Sequence, residues 1–106
     1  MIDELRIYTL KVGALPTYLE AFERIALPIM RRYIVVRGFW TVDCGDLNDF
    51  YHLSVFADHE ERIAKRAALA ADPGWAGFRA VALDLVIAQR NVILRPTSFS
   101  PAFKED

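Results

Sequence analysis

The stretch that determines the fold covers residues 36–56 and reads VRGFWTVDCGDLNDFYHLSVF. Two runs rich in β-branched and aromatic residues, 36–43 and 49–56, flank the polar segment DCGDLN. Such runs on either side of a segment with Gly and Asp are typical of antiparallel strands joined by a turn. The stretch therefore predicts a β-hairpin with a longer loop in the middle of the chain.

A strand and a helix are expected before this hairpin. Residues 4–12 alternate in character with a period of two, which indicates a strand with Arg6 and Tyr8 on one face. Pro16 suits the first turn of the helix that follows, where a missing N–H is not needed. Pro28 lies inside the same apolar stripe and removes a main-chain hydrogen bond, so it should kink the helix or separate its last turn.

A second helix and a last strand are expected after the hairpin. Asp58 and Glu61 have the spacing of a helix-capping pair, and Asp72-Pro73 is predicted to interrupt and restart this helix. Residues 86–94 form the last predicted strand. The charged residues of the helix are expected to form a solvated face, made of Glu60, Glu61, Arg62, Lys65 and Arg66.

The order of elements is therefore β-α-β-β-α-β, the ferredoxin-like order of α+β proteins. It predicts a four-stranded antiparallel sheet with both helices on one face. A chain of 106 residues has the size of one domain, here residues 1–106. It can bury enough surface to fold without a disulfide or a metal.

The sheet face away from the helices is expected to be apolar. With the phasing that the alternation suggests, this face carries Tyr8, Leu10, Trp40, Val42, Phe50 and Phe56. A soluble monomer rarely exposes so large an apolar patch. A second copy packed sheet against sheet in a two-fold homodimer would cover it.

Composition excludes several classes of partner. Thirteen Lys and Arg against fourteen Asp and Glu give a net charge of −1, with no basic excess for nucleic acid. The apolar runs are far shorter than the ~20 residues that cross a bilayer, and the first residues lack the features of a signal peptide. We therefore expect a cytoplasmic protein with no nucleic-acid partner and no membrane span.

No cofactor, metal or nucleotide is expected either. Cys44 is the sole cysteine, which excludes a cysteine-based zinc cluster within one chain. The sequence has no Gly-rich phosphate loop and no zinc-binding H-E-x-x-H motif. A small-molecule function would therefore depend on ordinary side chains.

Four stretches resemble the NIPSNAP family: ELRIYTLKVG at 4–13, GFWT at 38–41, RAALAADPGW at 66–75 and LRPTSFSP at 94–101. Together they span nearly the whole chain, and the third is the most specific. The resemblance implies a dimeric α/β barrel built from two ferredoxin-like subunits, without a settled activity. At the level of fold alone it extends to cofactor-free monooxygenases. The family's longer animal members are associated with mitochondria and vesicle traffic.

His52 is the candidate catalytic residue. It is expected on the face that lines the dimeric barrel, where a histidine could act as a general base. The alternative is a core histidine whose ring nitrogens are satisfied by neighbours.

Arg6 and Tyr8 are candidate substrate-binding residues on the same inward face. Arg6 could hold a substrate carboxylate or phenolate, or it could pair with an acidic residue such as Glu4 or Asp43 and be structural. Tyr8 could donate its hydroxyl to a ligand carbonyl or to a backbone acceptor.

Trp40, Phe50 and Ser54 complete the candidate substrate-binding set as the lining of an apolar pocket. Packing in the core is the alternative for the aromatic residues. The polar run Gln89-Arg90-Asn91 in the last strand indicates either a solvent-exposed edge or a polar lining of the barrel.

Three functions fit these residues. The first is a cofactor-independent enzyme, monooxygenase- or isomerase-like, that uses His52 with Arg6 or Tyr8. The second is a binding module that holds a small apolar or aromatic molecule without turnover. The third is a non-catalytic interaction module, in which a tail with Phe99, Pro101 and Phe103 docks on another protein.

Overall fold

The structure is a computed structural model that describes residues 1–102. It contains one antiparallel sheet of the strands β1 (Ile2–Leu10), β2 (Val35–Thr41), β3 (Asp49–Phe56) and β4 (Val86–Leu94), in the order β2-β3-β1-β4. Its helices are α1 (Leu15–Ala21), α2 (Leu27–Met30), α3 (His59–Ala71) and α4 (Trp75–Leu85). The predicted ferredoxin-like α+β fold is confirmed.

The first helical region is divided where Pro28 occurs. A π-helical turn, Phe22–Ala26, joins α1 to α2, and the N–H of Leu27 donates to the carbonyl of Phe22, five residues back. Pro28 follows at once and has no N–H to continue the normal bonding pattern. The predicted separation of the last helical turn is confirmed.

Helix α3 begins as its capping pair predicts. The Asp58 carboxylate accepts the N–H of Glu61 at 2.8 Å. The Glu61 carboxylate accepts in return from the N–H of Ala57. The first bond satisfies a main-chain donor that the first turn of a helix leaves free, and the second holds the residue that precedes the cap.

Helix α4 begins later than predicted. The Asp72 carboxylate accepts the N–H of Gly74 at 2.8 Å, and Trp75 is the first helical residue. Asp72 and Pro73 therefore form a turn between α3 and α4, because the side chain of Asp72 caps this turn and not the helix itself.

The helices cover the sheet face that the alternation assigned to the open side. Phe50 packs against Tyr18 and Phe22 with ring centroids 5.9 and 5.2 Å apart, and Leu10 and Phe56 lie in the same buried core. The predicted phasing is therefore wrong for these residues. Both faces of the sheet are apolar, so a period of two separates two sets of side chains without showing which set the helices cover.

The other set of side chains forms what we call the open face: Leu5, Ile7, Trp40, Tyr51, Leu53, Val55 and Val92. Trp40 is the predicted member that does lie there, opposite Tyr51 and 49% exposed. A Cβ added at Gly38 would come within 2.8 Å of the Trp40 ring, so this glycine lets the indole lie along the strand. Val42 follows the end of β2. An apolar open face is therefore present, with different members.

The remaining predictions concern the chain ends and membranes. Phe99 is 86% exposed beyond the end of β4, whereas Phe103 of the predicted tail lies outside the described residues. Within residues 1–102, no helix combines the length and apolar character that a bilayer crossing requires.

Candidate functional site

A cavity of about 540 Å³ lies between the sheet and the helices, within the range usual for small-molecule sites. Most of its wall is aromatic or aliphatic, with Tyr18, Leu69, Trp75, Phe78 and Val86 among the lining side chains. Four of the polar side chains on the wall form what we call the polar cluster: Arg6 and Tyr8 of β1, Arg66 of α3 and Gln89 of β4. Arg79 of α4 lies on the wall outside this cluster. The cavity therefore offers an apolar container with a localised polar region.

The polar cluster is anchored on Glu4, which is 0% exposed. One carboxylate oxygen accepts from Nε and Nη2 of Arg66 at 3.0 and 2.7 Å. The other accepts from Arg62 at 2.8 Å, Arg6 at 3.1 Å and Asn91 at 3.2 Å. The carboxylate thus binds three guanidinium groups, which fixes their positions on the cavity side of the sheet.

These contacts keep Glu4 ionised. Burial alone would raise its pKa, but the hydrogen bond from Arg62 and the charges of Arg66 and Arg6 outweigh it and lower the pKa to about 2. Glu4 is therefore a permanent anion near neutral pH and is unsuited to act as a proton donor.

Tyr8 is the polar ring at the centre of the cluster. Its hydroxyl oxygen accepts from Nε of Arg6 at 2.8 Å, and its ring stacks on His52 with centroids 5.6 Å apart and planes 11° from parallel. Arg6 and His52 face each other across β1 and β3, and Gln89 lies opposite Tyr8 on β4. The phenol is thus held from one side by an arginine and from another by an imidazole.

His52 lies behind Tyr8 and not on the cavity wall. It is 1% exposed. Burial, with the nearby charges of Arg6 and Arg66, lowers its pKa to about 3. Among the described residues, nothing bonds its Nδ1. The imidazole is therefore neutral near pH 7, and contact between it and a cavity ligand would pass through Tyr8.

The predicted substrate-binding residues lie in three different places in the structure. Arg6 and Tyr8 do line the cavity. Phe50 and Ser54 are buried behind it, with Ser54 Oγ accepting from Arg66 at 3.3 Å. Trp40 lies on the open face, on the other side of the sheet. Placing all of them on one inter-subunit surface was wrong because the phasing was wrong.

Arg66 and Arg62 are residues that the sequence assigned to a solvated face. Their side chains are only 20% and 24% exposed, and both reach Glu4. The predicted pairing of Arg6 with Glu4 is confirmed at 3.1 Å. The sequence did contain a signal for the contacts of Arg62 and Arg66. Two arginines four residues apart lie on one face of α3, and β1 carries a glutamate that could pair with them. Gln89 lies on the cavity wall within one subunit, and Asn91 donates to Glu4. Both residues are exposed on a strand at the sheet edge, so the solvent-exposed edge is confirmed, and the polar lining of a barrel between subunits stays a prediction.

Comparisons with known proteins place the chain in a family. The NIPSNAP family model matches residues 3–101. The human Protein NipSnap homolog 3B is 29% identical over 101 residues, which cover 94% of this chain and 41% of the human protein. The chain therefore spans about two-fifths of the length of that curated relative.

Solved structures agree with this assignment. An uncharacterized NIPSNAP domain protein from Burkholderia xenovorans is 34% identical with a TM-score of 0.92, over 96% of this chain and 100% of that one. SnoaB, a cofactor-independent oxygenase from Streptomyces nogalater, is 17% identical with a TM-score of 0.64, over 95% of this chain and 97% of that one. The second likeness shows the fold alone. On the family match and the Burkholderia likeness, the chain belongs to the NIPSNAP family.

Proposed function

We propose that this NIPSNAP protein is a homodimer that binds a small apolar or aromatic molecule in the cavity of each subunit, without a metal or a nucleotide. The cavity itself carries this proposal. Its wall is mostly aromatic and aliphatic, with a small number of polar groups of which most belong to the polar cluster, and this is the usual composition of a small-molecule site. The cytoplasm stays the expected compartment.

The open face supports the dimer. Trp40 and Val92 are 49% and 42% exposed there, and Leu53 and Leu5 lie between them across the sheet. These four apolar side chains come from all four strands of the sheet, and a second copy of the same sheet could cover them in a two-fold arrangement.

The binding proposal is tested with N-phenyl-1-naphthylamine, a neutral aromatic dye that fluoresces in apolar surroundings. We expect the full chain to bind the dye with a single apparent affinity. Ala82 lines the cavity, so Ala82→Phe should fill part of it and weaken dye binding at least tenfold. Ala80 of the same helix is exposed, and Ala80→Phe is the matched control. Absence of dye binding to the unaltered chain, or equal binding by both variants, would refute the cavity as the site.

Conversion of the bound molecule is a second candidate, and the Arg6–Tyr8 bond favours it. Because the Tyr8 oxygen accepts from Arg6, its own proton is available to donate to a ligand carbonyl. In this proposal Tyr8 is the group that touches the ligand, and His52 positions it through ring stacking. Tyr8→Phe keeps the ring and removes the proton. An isomerase-like activity on a bound carbonyl compound should fall at least a hundredfold, while dye binding stays within threefold.

A further inference from the structure

The charged groups that bond one another around Glu4 carry more positive than negative charge. Arg6, Arg62 and Arg66 all bond this single carboxylate. No other carboxylate of residues 1–102 lies within 4.0 Å of these three guanidinium groups. Two positive charges are therefore left over in a region that is mostly removed from water, where an unpaired charge is costly.

Part of this excess faces the cavity. Arg6 and Arg66 line it, whereas Arg62 does not. The described cavity wall has three charged residues, and all three are arginines: Arg6, Arg66 and Arg79. The wall thus has positive charge and no negative charge to balance it.

The arginines also have donors to spare. Nη1 of Arg66 and Nη2 of Arg6 bond no acceptor among residues 1–102, since their recorded bonds use other nitrogens. The Tyr8 hydroxyl accepts from Arg6 but has no acceptor of its own in the described part of the chain. Three donor atoms, two guanidinium nitrogens and one hydroxyl oxygen, are therefore available on this part of the wall.

From this juxtaposition we infer that the cavity ligand carries a carboxylate, which binds Arg66 and Arg6 and accepts from Tyr8, while its apolar body lies along Trp75 and Phe78. A carboxylate has two acceptor oxygens, and the planar guanidinium groups of the two arginines present N–H donors that can bond them. The aromatic part of the wall suits a hydrocarbon chain or ring, and among the described residues the one other charged side chain on the wall is the exposed Arg79. This inference rests on the proposed function and names its ligand class.

The test compares two ligands with the same apolar chain, of which one carries a carboxylate and the other a neutral amide. Decanoate and decanamide compete with N-phenyl-1-naphthylamine for the full chain at pH 7.5 and low salt. We expect decanoate to displace the dye at a concentration at least tenfold below that of decanamide. If the dye does not bind at all, the proposed function fails. If it binds and both competitors displace it equally, the cavity stands and the carboxylate inference is overturned.

Two variants test which arginine gives the preference for the carboxylate. Arg66→Gln removes a cavity donor, and the preference for decanoate should fall below threefold. Arg62→Gln perturbs the same carboxylate from outside the cavity, and it should keep most of the preference. Loss of preference in both variants alike would overturn the assignment to Arg66. The comparison of the two competitors on the unaltered chain needs no variant, so it stands even if Arg66→Gln fails to fold.

Discussion

Arg66 of α3 donates from Nε and Nη2 to the same oxygen of Glu4 in β1, at 3.0 and 2.7 Å. The two residues are 62 positions apart in the chain, so this ion pair ties the helical layer to the sheet beside the cavity. Arg62, one turn earlier, holds the other oxygen at 2.8 Å. The arginines of the polar cluster are thus held in place by the fold itself.

Glu4→Gln should destabilise the protein strongly. The substitution keeps the shape of the side chain but leaves three guanidinium groups without their carboxylate, and breaking a buried ion pair from one side costs roughly 3–5 kcal/mol. Urea unfolding measures this loss. Glu20→Gln is the control, because Glu20 pairs with Arg24 at 2.7 Å on an exposed surface and its loss should cost less than about 1 kcal/mol. Equal losses in the two variants would contradict the anchoring role of Glu4.

The same carboxylate predicts a loss of stability in acid. The pKa of Glu4 is lowered from 4.5 to about 2, because the arginines outweigh the effect of burial. The unfolded chain therefore takes up this proton first as the pH falls, and the stabilisation is present above pH 4.5 and lost towards pH 2. At about 1.4 kcal/mol per pKa unit, the full loss is roughly 3–4 kcal/mol. The Glu4→Gln variant should lack this part of the pH dependence, and an unchanged acid profile would refute the assignment.

His52 should affect the free energy of unfolding at higher pH than Glu4 does. Burial, together with Arg6 and Arg66, lowers its pKa from 6.5 to about 3. The unfolded chain binds this proton below pH 6.5 and the folded chain does not, so the free energy of unfolding falls as the pH decreases from 6.5. Between pH 6.5 and 4.5 the fall should be roughly 2 kcal/mol. His52→Gln should flatten this range, whereas His59→Gln, at an exposed position, should not. Identical profiles for the two variants would contradict a neutral buried His52.

The dimer is tested on the open face. We expect light scattering after gel filtration to give twice the chain mass of 12.1 kDa. Leu53→Lys places a charge at the centre of the open face and should yield the single-chain mass, because burying an unpaired lysine between two sheets is costly. Ala80→Lys, on the exposed side of α4, is the control. A monomeric unaltered chain would refute the homodimer, and a dimeric Leu53→Lys would refute this face as its interface.

Some ends of strands and helices could be predicted from the sequence because they depend on residues that are close to one another in the chain. The strands at Asp49–Phe56 and Val86–Leu94 end at the predicted residues, since alternation and the flanking turns define them. Pro28 and Asp58 also act as predicted, because a missing N–H and a capping carboxylate have effects within one helical turn.

The orientation of the sheet could not be predicted in the same way. Phe50 and Tyr51 are both aromatic, yet one lies under the helices and the other on the open face. When both faces are apolar, alternation lacks the one piece of information that decides between them. The candidate site inherited this error, which is why Trp40 was grouped with Phe50.

Arg66 was missed for a related reason. On its own helix it resembles Lys65, which pairs with Glu61 at 2.8 Å near the surface. What distinguishes Arg66 is a buried carboxylate on a strand far away in sequence, and its long side chain can reach that partner while its stem packs on apolar neighbours. Pattern within one helix cannot report a partner on another element.

The two tryptophans allow the most direct test of the central claim, that the cavity between sheet and helices is the binding site. Trp75 lies on the cavity wall, and Trp40 lies on the opposite side of the sheet, on the open face. In a ¹H–¹⁵N spectrum each indole N–H gives its own signal, and N-phenyl-1-naphthylamine can be titrated against both. We expect the Trp75 indole signal to shift in a saturable manner while that of Trp40 stays in place. A shift of Trp40 with Trp75 unchanged would contradict the account, because it would place the ligand on the open face.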